Sequence, residues 1–589
     1  MFIFFICVIY KKIIFLLFCS IIQEQENSQH APTPPRPVEE WMLVCRQNQH
    51  SEPDVSSNEE VDWTLAAQSY PNLAEAPSFI SQQRQAAEER IFTTSASPHN
   101  LQGKQLQVYT TVQQHYTAVN PPPLRMIVSG TAGTGKSYLI HCLRLLLQHH
   151  LCVAAPTGVA AFNVEGNTLH SLLSLPTRGD FKDLEGERLQ KIQHSFSSVK
   201  YIIIDEMSMV GRKMLGQVDR RLRQIFPHHA QEVFGGCSCL LFGDFGQLPP
   251  VMDLPLYTTL SRSELSDQGR VAYQCFNQAV VLDQVMRQAG HSPDQIQFRD
   301  ILLRLRDAKV TAADWNVLLN QTPTKVQDLS SFARALHLRP TVEAVVEHNV
   351  AQLHASGQPI ATIKAVHTGA NASKAPADDA GGLEAIICLA NLARVMLTSN
   401  LWVDVGLVNG AMGTVQAICY QSGGPPDLPV AVMVHFDNYS GPTLHDGTVP
   451  ITPVRRTWFT SGAQCSRLQL PLKLAWAVTI HKSQGLTLDK VVIDIGKREF
   501  SAGLTYVACS RVRHLQDLLF SPPFSYQRLA DLANHSRLQE RRNEDHRLQE
   551  LCNSQPLPNL SRPTPMETTT EPFALAMDTD SAPFPSAST

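Results

Sequence analysis

Paired cysteines, a strong charge of one sign and any hydrophobic run long enough to span a bilayer are all missing from this 589-residue chain. Its 13 cysteines are an odd number, scattered from Cys7 to Cys552 with no C-x-x-C pair. Neither a disulfide framework nor a zinc module is indicated, no structural metal is expected, and a reducing compartment fits best. Cys237 and Cys239 flank the start of an apolar run and read as small buried side chains. The first 22 residues are very apolar, but Lys11 and Lys12 split them into two blocks of about ten, each too short to cross a membrane. The second block has the look of a secretory h-region, yet no small-x-small cleavage site precedes Gln23 and Glu24, so neither secretion nor anchoring is expected. Internal repeats are absent as well. With 43% hydrophobic and 17% charged residues, collagen-like, coiled-coil and wholly disordered chains are excluded.

The net charge of −4 conceals an uneven distribution. Both ends are acidic, whereas residues 96–530 carry 38 basic against 32 acidic side chains, a balance that permits a polyanionic partner without requiring one. Residues 23–95 are rich in Gln, Ser, Pro and Glu and lack apolar periodicity, as does the tail; residues 1–95 and 531–589 are expected to be an apolar start with a disordered arm and a disordered tail. The span between them holds several cores' worth of apolar side chains.

Five segments in that span are continuously apolar rather than alternating: 126–129, 152–155, 201–204, 239–242 and 491–495. Strands buried on both faces read this way, and amphipathic helices follow them, as at Lys136 to about Gln148. A doubly wound α/β architecture with parallel sheets is predicted.

Gly130-Thr131-Ala132-Gly133-Thr134-Gly135-Lys136-Ser137 matches G-x-x-x-x-G-K-[ST] and stands between an apolar strand and a helix. Gly130, Gly133 and Gly135 let backbone amides approach phosphate oxygens, with Thr134 between them. Lys136 supplies charge to the β and γ phosphates, and Ser137 offers a hydroxyl to Mg²⁺. The strand Tyr201–Ile204 runs into Asp205 and Glu206, two carboxylates that a sheet tolerates only at its open edge. Asp205 is placed to hold Mg²⁺ through water, Glu206 to orient and deprotonate an attacking water. The segment CLLFGDFGQLPPV (239–251) delivers Gln247 to the same edge, where it could sense the γ-phosphate. Arg287 and Arg511 lie beyond this first sheet and could reach a nucleotide only from a second lobe, as fingers that stabilise transition-state charge. Taken singly, each also reads as a surface arginine.

The ordered series APTGVAAFNVEGNTLHSLL (155–173), IIIDEMSM (202–209), FGDFGQLPPV (242–251), VMRQ (285–288), ARVMLTSNLWVDVGLVNGAMGTV (393–415), AWAVTIHKSQGLTLDKVVIDIG (475–496) and TYVACSRVR (505–513) strongly resembles the petite-integration-frequency DNA helicases of superfamily one. The match covers about 100–520 in the correct order. Met286 departs from it, standing where Phe is expected.

That resemblance implies two RecA-like lobes sandwiching ATP, with Mg²⁺, and an SH3-like barrel inserted in the second. The first lobe is expected at 96–284, the second at 285–413 and 469–530, and the barrel at 414–468. The stretch 357–390, with NASKAPADDAGG at 371–382, reads as a long loop. In LQGKQ (101–105), Gln105 matches the adenine-reading position. Thr157, His170, His481, Lys482 and Ser483 fall in motifs that in the family face single-stranded DNA or relay its presence to ATP; each residue type also suits a loop-stabilising role. Trp402 and Trp476 lie in apolar runs and read as core residues rather than base-stacking platforms. The implied activity is ATP-dependent 5′ to 3′ translocation on single-stranded DNA with unwinding at duplex junctions, in repair, recombination and telomere maintenance. A monomer is expected, in the nucleus or, as the second reading, the mitochondrion. Two rivals stay open: a nucleic-acid-stimulated ATPase that remodels RNA or protein complexes without separating strands, and a binding module that keeps the fold without the chemistry.

Overall fold

Strands that are apolar on both faces must be covered on both faces, and they are. In the computed structural model, which describes residues 61–87, 96–176, 179–286, 292–460, 463–499, 501–535 and 537–554, six strands form one sheet: β1 (Arg125–Gly130), β2 (Leu151–Ala155), β3 (Asn167–Thr168), β4 (Tyr201–Ile204), β5 (Ser238–Gly243) and β6 (Gln278–Leu282). Their order is β3-β2-β4-β5-β1-β6 and every pairing is parallel. Side chains alternate between two cores. Ile127, Ile202, Ile204, Cys239 and Leu241 face one; Met126, Val128, Ile203, Leu240 and Phe242 face the other. Helix α1 (Lys136–Leu147) covers the second face with Leu139, Ile140 and Leu143, while α2 (Arg212–Ile225) and α3 (Glu264–Gln274) lie on the first.

A second parallel sheet runs Ala477–Thr479, Leu336–Arg339, Val491–Ile493, Leu518–Phe520 in spatial order. Against it pack α4 (Pro293–Arg306), through Phe298, Ile301 and Leu305, and the short α5 (Leu504–Cys509). The two-lobed α/β reading therefore stands.

Along the chain, antiparallel strands separate the two halves of the second lobe. Five of them run Val449–Ile451, Ala431–Phe436, Met412–Cys419, Arg394–Leu397, Leu472–Leu474 in order, and they extend beyond the expected 414–468 insertion on both sides. The expected loop at 357–390 is in part strand. Ala361–Lys364 pairs with Ile386–Leu389, and alternation buries Ala361, Ile363, Ile387 and Leu389. The Ala- and Gly-rich remainder has few apolar side chains and is organised instead by one fully buried guanidinium. Arg467 donates to the carbonyls of Leu383 (2.7 Å), Ala372 (3.0 Å) and Ala375 (2.6 Å). A rigid fork with five donors suits a loop that offers mainly carbonyls.

Both ends depart from the expected disorder where they are described. Residues 61–86 lie on the outer face of the antiparallel sheet, with Leu73 and Ala76 against Ala417, Cys419 and Met433. Helix α6 (Leu538–Ser554) packs Leu548 into the first lobe's core. Residues 1–60, 88–95 and 555–589, including the apolar start, lie outside the described residues. Among those described, no helix is long and apolar enough to cross a membrane.

Candidate nucleotide site between the lobes

Parallel strands bring their C-terminal ends to one edge, so the order β2-β4-β5-β1 sets four loops side by side. The loop after β1 turns through Gly133 (φ 87°) and Gly135 (φ 78°) into the N-terminus of α1. A Cβ at Gly135 would sit 2.4 Å from the Gln105 Nε2, and one at Gly130 would sit 2.5 Å from the Thr134 hydroxyl. The positive φ at Gly135, and the Leu282 Cβ that also lies 3.0 Å from a Cβ at Gly130, favour the bare backbone that a phosphate cradle needs. Thr134 is buried, its hydroxyl donating to the Thr131 carbonyl at 2.9 Å, whereas Ser137 is exposed at the start of α1. Lys136 Nζ donates to the carbonyls of Gly130 (2.7 Å) and Thr131 (3.1 Å).

Gln105 meets this loop, donating to the Thr134 carbonyl at 2.8 Å from the helix Gly103–Thr117. Met286 closes the other side through its amide, which donates to the Gly133 carbonyl at 2.7 Å.

Asp205 and Glu206 leave the end of β4. Burial and the neighbouring Glu206 push the Asp205 carboxyl up to about 7, against the pull of Lys136, and its Oδ1 is a buried acceptor with no hydrogen-bond partner. A buried carboxylate oxygen left open beside a lysine and a phosphate cradle fits a site for a hydrated divalent cation. Glu206 holds a left-handed backbone, φ 52° and ψ 47°, which a glutamate rarely adopts. The turn directs its carboxylate across the cleft, where Oε2 accepts from Gln484 Nε2 at 3.2 Å; the same amide donates to the Ser208 hydroxyl at 3.2 Å.

Gln484 comes from the second lobe and was missed by sequence reasoning, although it directly follows His481, Lys482 and Ser483. The signal was present: an amide one residue past those three, in a motif already assigned to single-stranded DNA. Its own Oε1 and the Oε1 of Gln247 are further buried acceptors without partners. Gln247 is itself buried, following β5 as expected.

The remaining candidates divide. Thr157 caps the turn Gly158–Asn163, accepting from the Ala160 amide at 3.3 Å. That turn reaches the second lobe, with Asn163 Nδ2 donating to the Gly485 carbonyl at 3.0 Å, so Thr157 and the 481–484 turn are brought together. Lys482 is exposed and donates to Asn409 at 3.3 Å. His481 and His170 are partly buried, and burial lowers the pKa of each imidazole. Ser483 departs from the expected DNA-facing position: it is fully buried and its hydroxyl donates to the Ile480 carbonyl at 2.8 Å, closing a 3-10 turn. Arg511 is also buried, donating to the carbonyls of Val507 (2.8 Å) and Leu486 (3.2 Å) and to the Ser510 hydroxyl (2.7 Å). These bonds tie it to the segment that carries Gln484, and a finger role requires it to leave them. Arg287 lies outside the described residues. Trp402 is buried in the core, and Trp476 packs against it, as read.

Residues 100–316 match the family model for PIF1-like helicase. The ATP-dependent DNA helicase PIF1 of Xenopus laevis is 33% identical over 395 residues, 66% of this chain and 58% of that protein. Residues 100–316 thus carry a PIF1-like helicase domain. Human PIF1, also an ATP-dependent DNA helicase, is 31% identical over 422 residues, 66% of this chain and 57% of its own length. The chain thus spans less than two thirds of these relatives. Among solved structures, one of two coordinating Pif1 helicases unwinding forked double-stranded DNA aligns with a TM-score of 0.58 at 25% identity, covering 77% of this chain and 98% of that one. Bacteroides Pif1 bound to single-stranded DNA aligns at 0.55 and 25% identity, covering 72% and 93%. The likeness to these structures agrees with the two parallel sheets described above.

Proposed function

We propose that this protein is an ATP-dependent DNA helicase that moves 5′ to 3′ on single-stranded DNA, separates duplex at junctions, and serves repair, recombination and telomere maintenance. The observation that carries the reading is the hydrogen bond from Gln484 of the second lobe to Glu206 of the first. A carboxylate placed to deprotonate water, held by a residue of the opposite lobe, makes hydrolysis depend on how the lobes sit. A motor needs that dependence, whereas a simple phosphatase does not.

Gly133, Gly135, Lys136 and Ser137 would hold the triphosphate, with Asp205 and Ser137 on Mg²⁺, which when bound shields the phosphate charge from an attacking oxygen. Lys136 exchanges its loop carbonyls for phosphate oxygens. Glu206 takes the proton of the attacking water while its left-handed turn keeps the carboxylate aimed into the cleft. Any shift of the 481–484 turn pulls on Gln484 and so on Glu206. Lys482 at the surface of that turn, and Thr157 across from it, suit backbone phosphates, which reward grip without base preference.

Unwinding of duplexes with a 5′ or a 3′ single-stranded tail tests the proposal. ATP-dependent separation is expected with the 5′ tail only, lost in Lys136→Ala and reduced by about 10²-fold or more in Glu206→Gln. DNA-stimulated ATP turnover without strand separation would favour the remodelling ATPase instead. Separation that survives both substitutions would refute the assigned chemistry.

A further inference from the structure

A chain of buried polar contacts runs from the C-terminal helix to the crest of the phosphate loop. The Ala132 amide donates to the Tyr506 hydroxyl at 3.1 Å, and that hydroxyl donates to Asp244 Oδ2 at 3.0 Å. Asp244 Oδ1 accepts from Arg306 Nε at 2.9 Å, and the two terminal nitrogens of Arg306 each donate to Asp545 at 3.0 Å. Four elements contribute: the β5 loop (Asp244), α4 (Arg306), α5 (Tyr506) and α6 (Asp545). Asp244 is fully buried and Tyr506 nearly so. The contacts leave little slack, because a Cβ at Gly246 would lie 2.5 Å from the Arg306 side chain. Burial alone would raise the Asp244 carboxyl, but Arg306 and Lys136 more than reverse it and hold the pKa below the ordinary aspartate value. Asp244 therefore stays charged, a fixed acceptor for the tyrosine proton.

The same helix α6 touches both lobes. Leu548 packs in the first lobe's core, while Arg542 donates to the Asp307 carbonyl at 2.6 Å beside Arg306. Residues 538–554 also lie well past the 100–316 match to the family model.

We propose that Tyr506 is a positioning residue for the phosphate loop, and that Asp545 of α6 sets its placement through Arg306 and Asp244, so that the C-terminal helix tunes nucleotide affinity. The inference rests on the nucleotide-site part of the functional reading and goes beyond it, since Tyr506, Arg306 and Asp545 belong to none of the chemistry assigned above. Tyr506 anchors a crest amide of the phosphate loop from the second lobe; without its hydroxyl the crest loses that reference, and without Asp545 the Arg306 fork can swing away from Asp244.

The affinity of the full chain for a fluorescent ATP analogue with Mg²⁺ reads this directly, independent of turnover. Tyr506→Phe is expected to weaken binding about 3- to 10-fold, the loss of one hydrogen-bonded hydroxyl. Asp545→Asn should weaken it about 2- to 5-fold, and the double variant should match Tyr506→Phe alone, because residues in one chain are not additive. Glu544→Gln is the control: its carboxylate accepts from Tyr273 of α3 and from Arg547 of its own helix, apart from the relay contacts, and its loss should lower thermal stability with affinity unchanged. The proposal is overturned if Asp545→Asn behaves like Glu544→Gln, or if the two single effects multiply. Failure of the unmodified protein to bind the analogue would sink the nucleotide-site reading itself; tight binding with no DNA unwinding would leave this relay intact and remove only the motor.

Discussion

Asp205 and Glu206 are adjacent in sequence yet occupy different surroundings. Asp205 sits at the end of β4 with its carboxyl raised to about 7, chiefly by burial, while Glu206 turns into the cleft toward Gln484. The folded protein therefore binds the Asp205 proton more tightly than the unfolded chain does, and between about pH 4 and 7 this residue costs progressively more stability as pH rises. Asp205→Asn should accordingly raise the unfolding temperature of the nucleotide-free protein at pH 8, with the gain shrinking to nothing near pH 4. Thermal unfolding across that range checks it, and a gain independent of pH would contradict the assignment. The carboxylate pair and phosphate loop were legible because each combines unusual residue types with an abrupt end of an apolar strand. Gln484, Arg467 and Tyr506 were not, because a buried amide, guanidinium or phenol is recognisable only by partners that the fold supplies from far along the chain.

At the level of elements, uniform apolarity marked the strands well. Tyr201–Ile204 matches its expected bounds, and the other four differ by one or two residues, the last ending at Ile493. The strands around 361–389 were missed because they are short and interrupted by an Ala- and Gly-rich excursion whose order comes from Arg467. Helix α6 was missed for a different reason. Its sequence is mostly charged, and the few apolar residues that dock it, Leu538, Leu548 and Cys552, are too sparse to stand out. Those few should nonetheless carry its attachment. Leu548→Ala removes a nearly fully buried side chain and should cost about 2–5 kcal/mol, read as a lower midpoint in denaturant. A loss near zero would mean that the ion pairs alone hold the helix.

Across the whole molecule, the lobes meet at backbone distance. Gly503, the N-cap of α5, has φ 87°, and a Cβ there would run into the Gly246 carbonyl oxygen. Gly503→Ala should push α5 off the β5 loop and loosen the Tyr506 contact, lowering ATP turnover several-fold more than its modest loss of stability accounts for. Steady-state hydrolysis measured beside unfolding midpoints separates the two effects; a decline in stability alone would show that the lobes do not need this close approach. The two-lobed plan was legible because both parallel sheets follow the same apolar rule, whereas the closeness of their meeting depends on glycines that a sequence shows only as small residues.

The strip formed by residues 61–86 has one more implication. Its Leu73 and Ala76 blanket Ala417, Cys419 and Met433, and Trp63 rests edge-on against Tyr420. A polypeptide trimmed to begin where the family match begins would bare that greasy patch to solvent, so the folding unit starts upstream of the match, in a segment whose composition reads as a disordered arm.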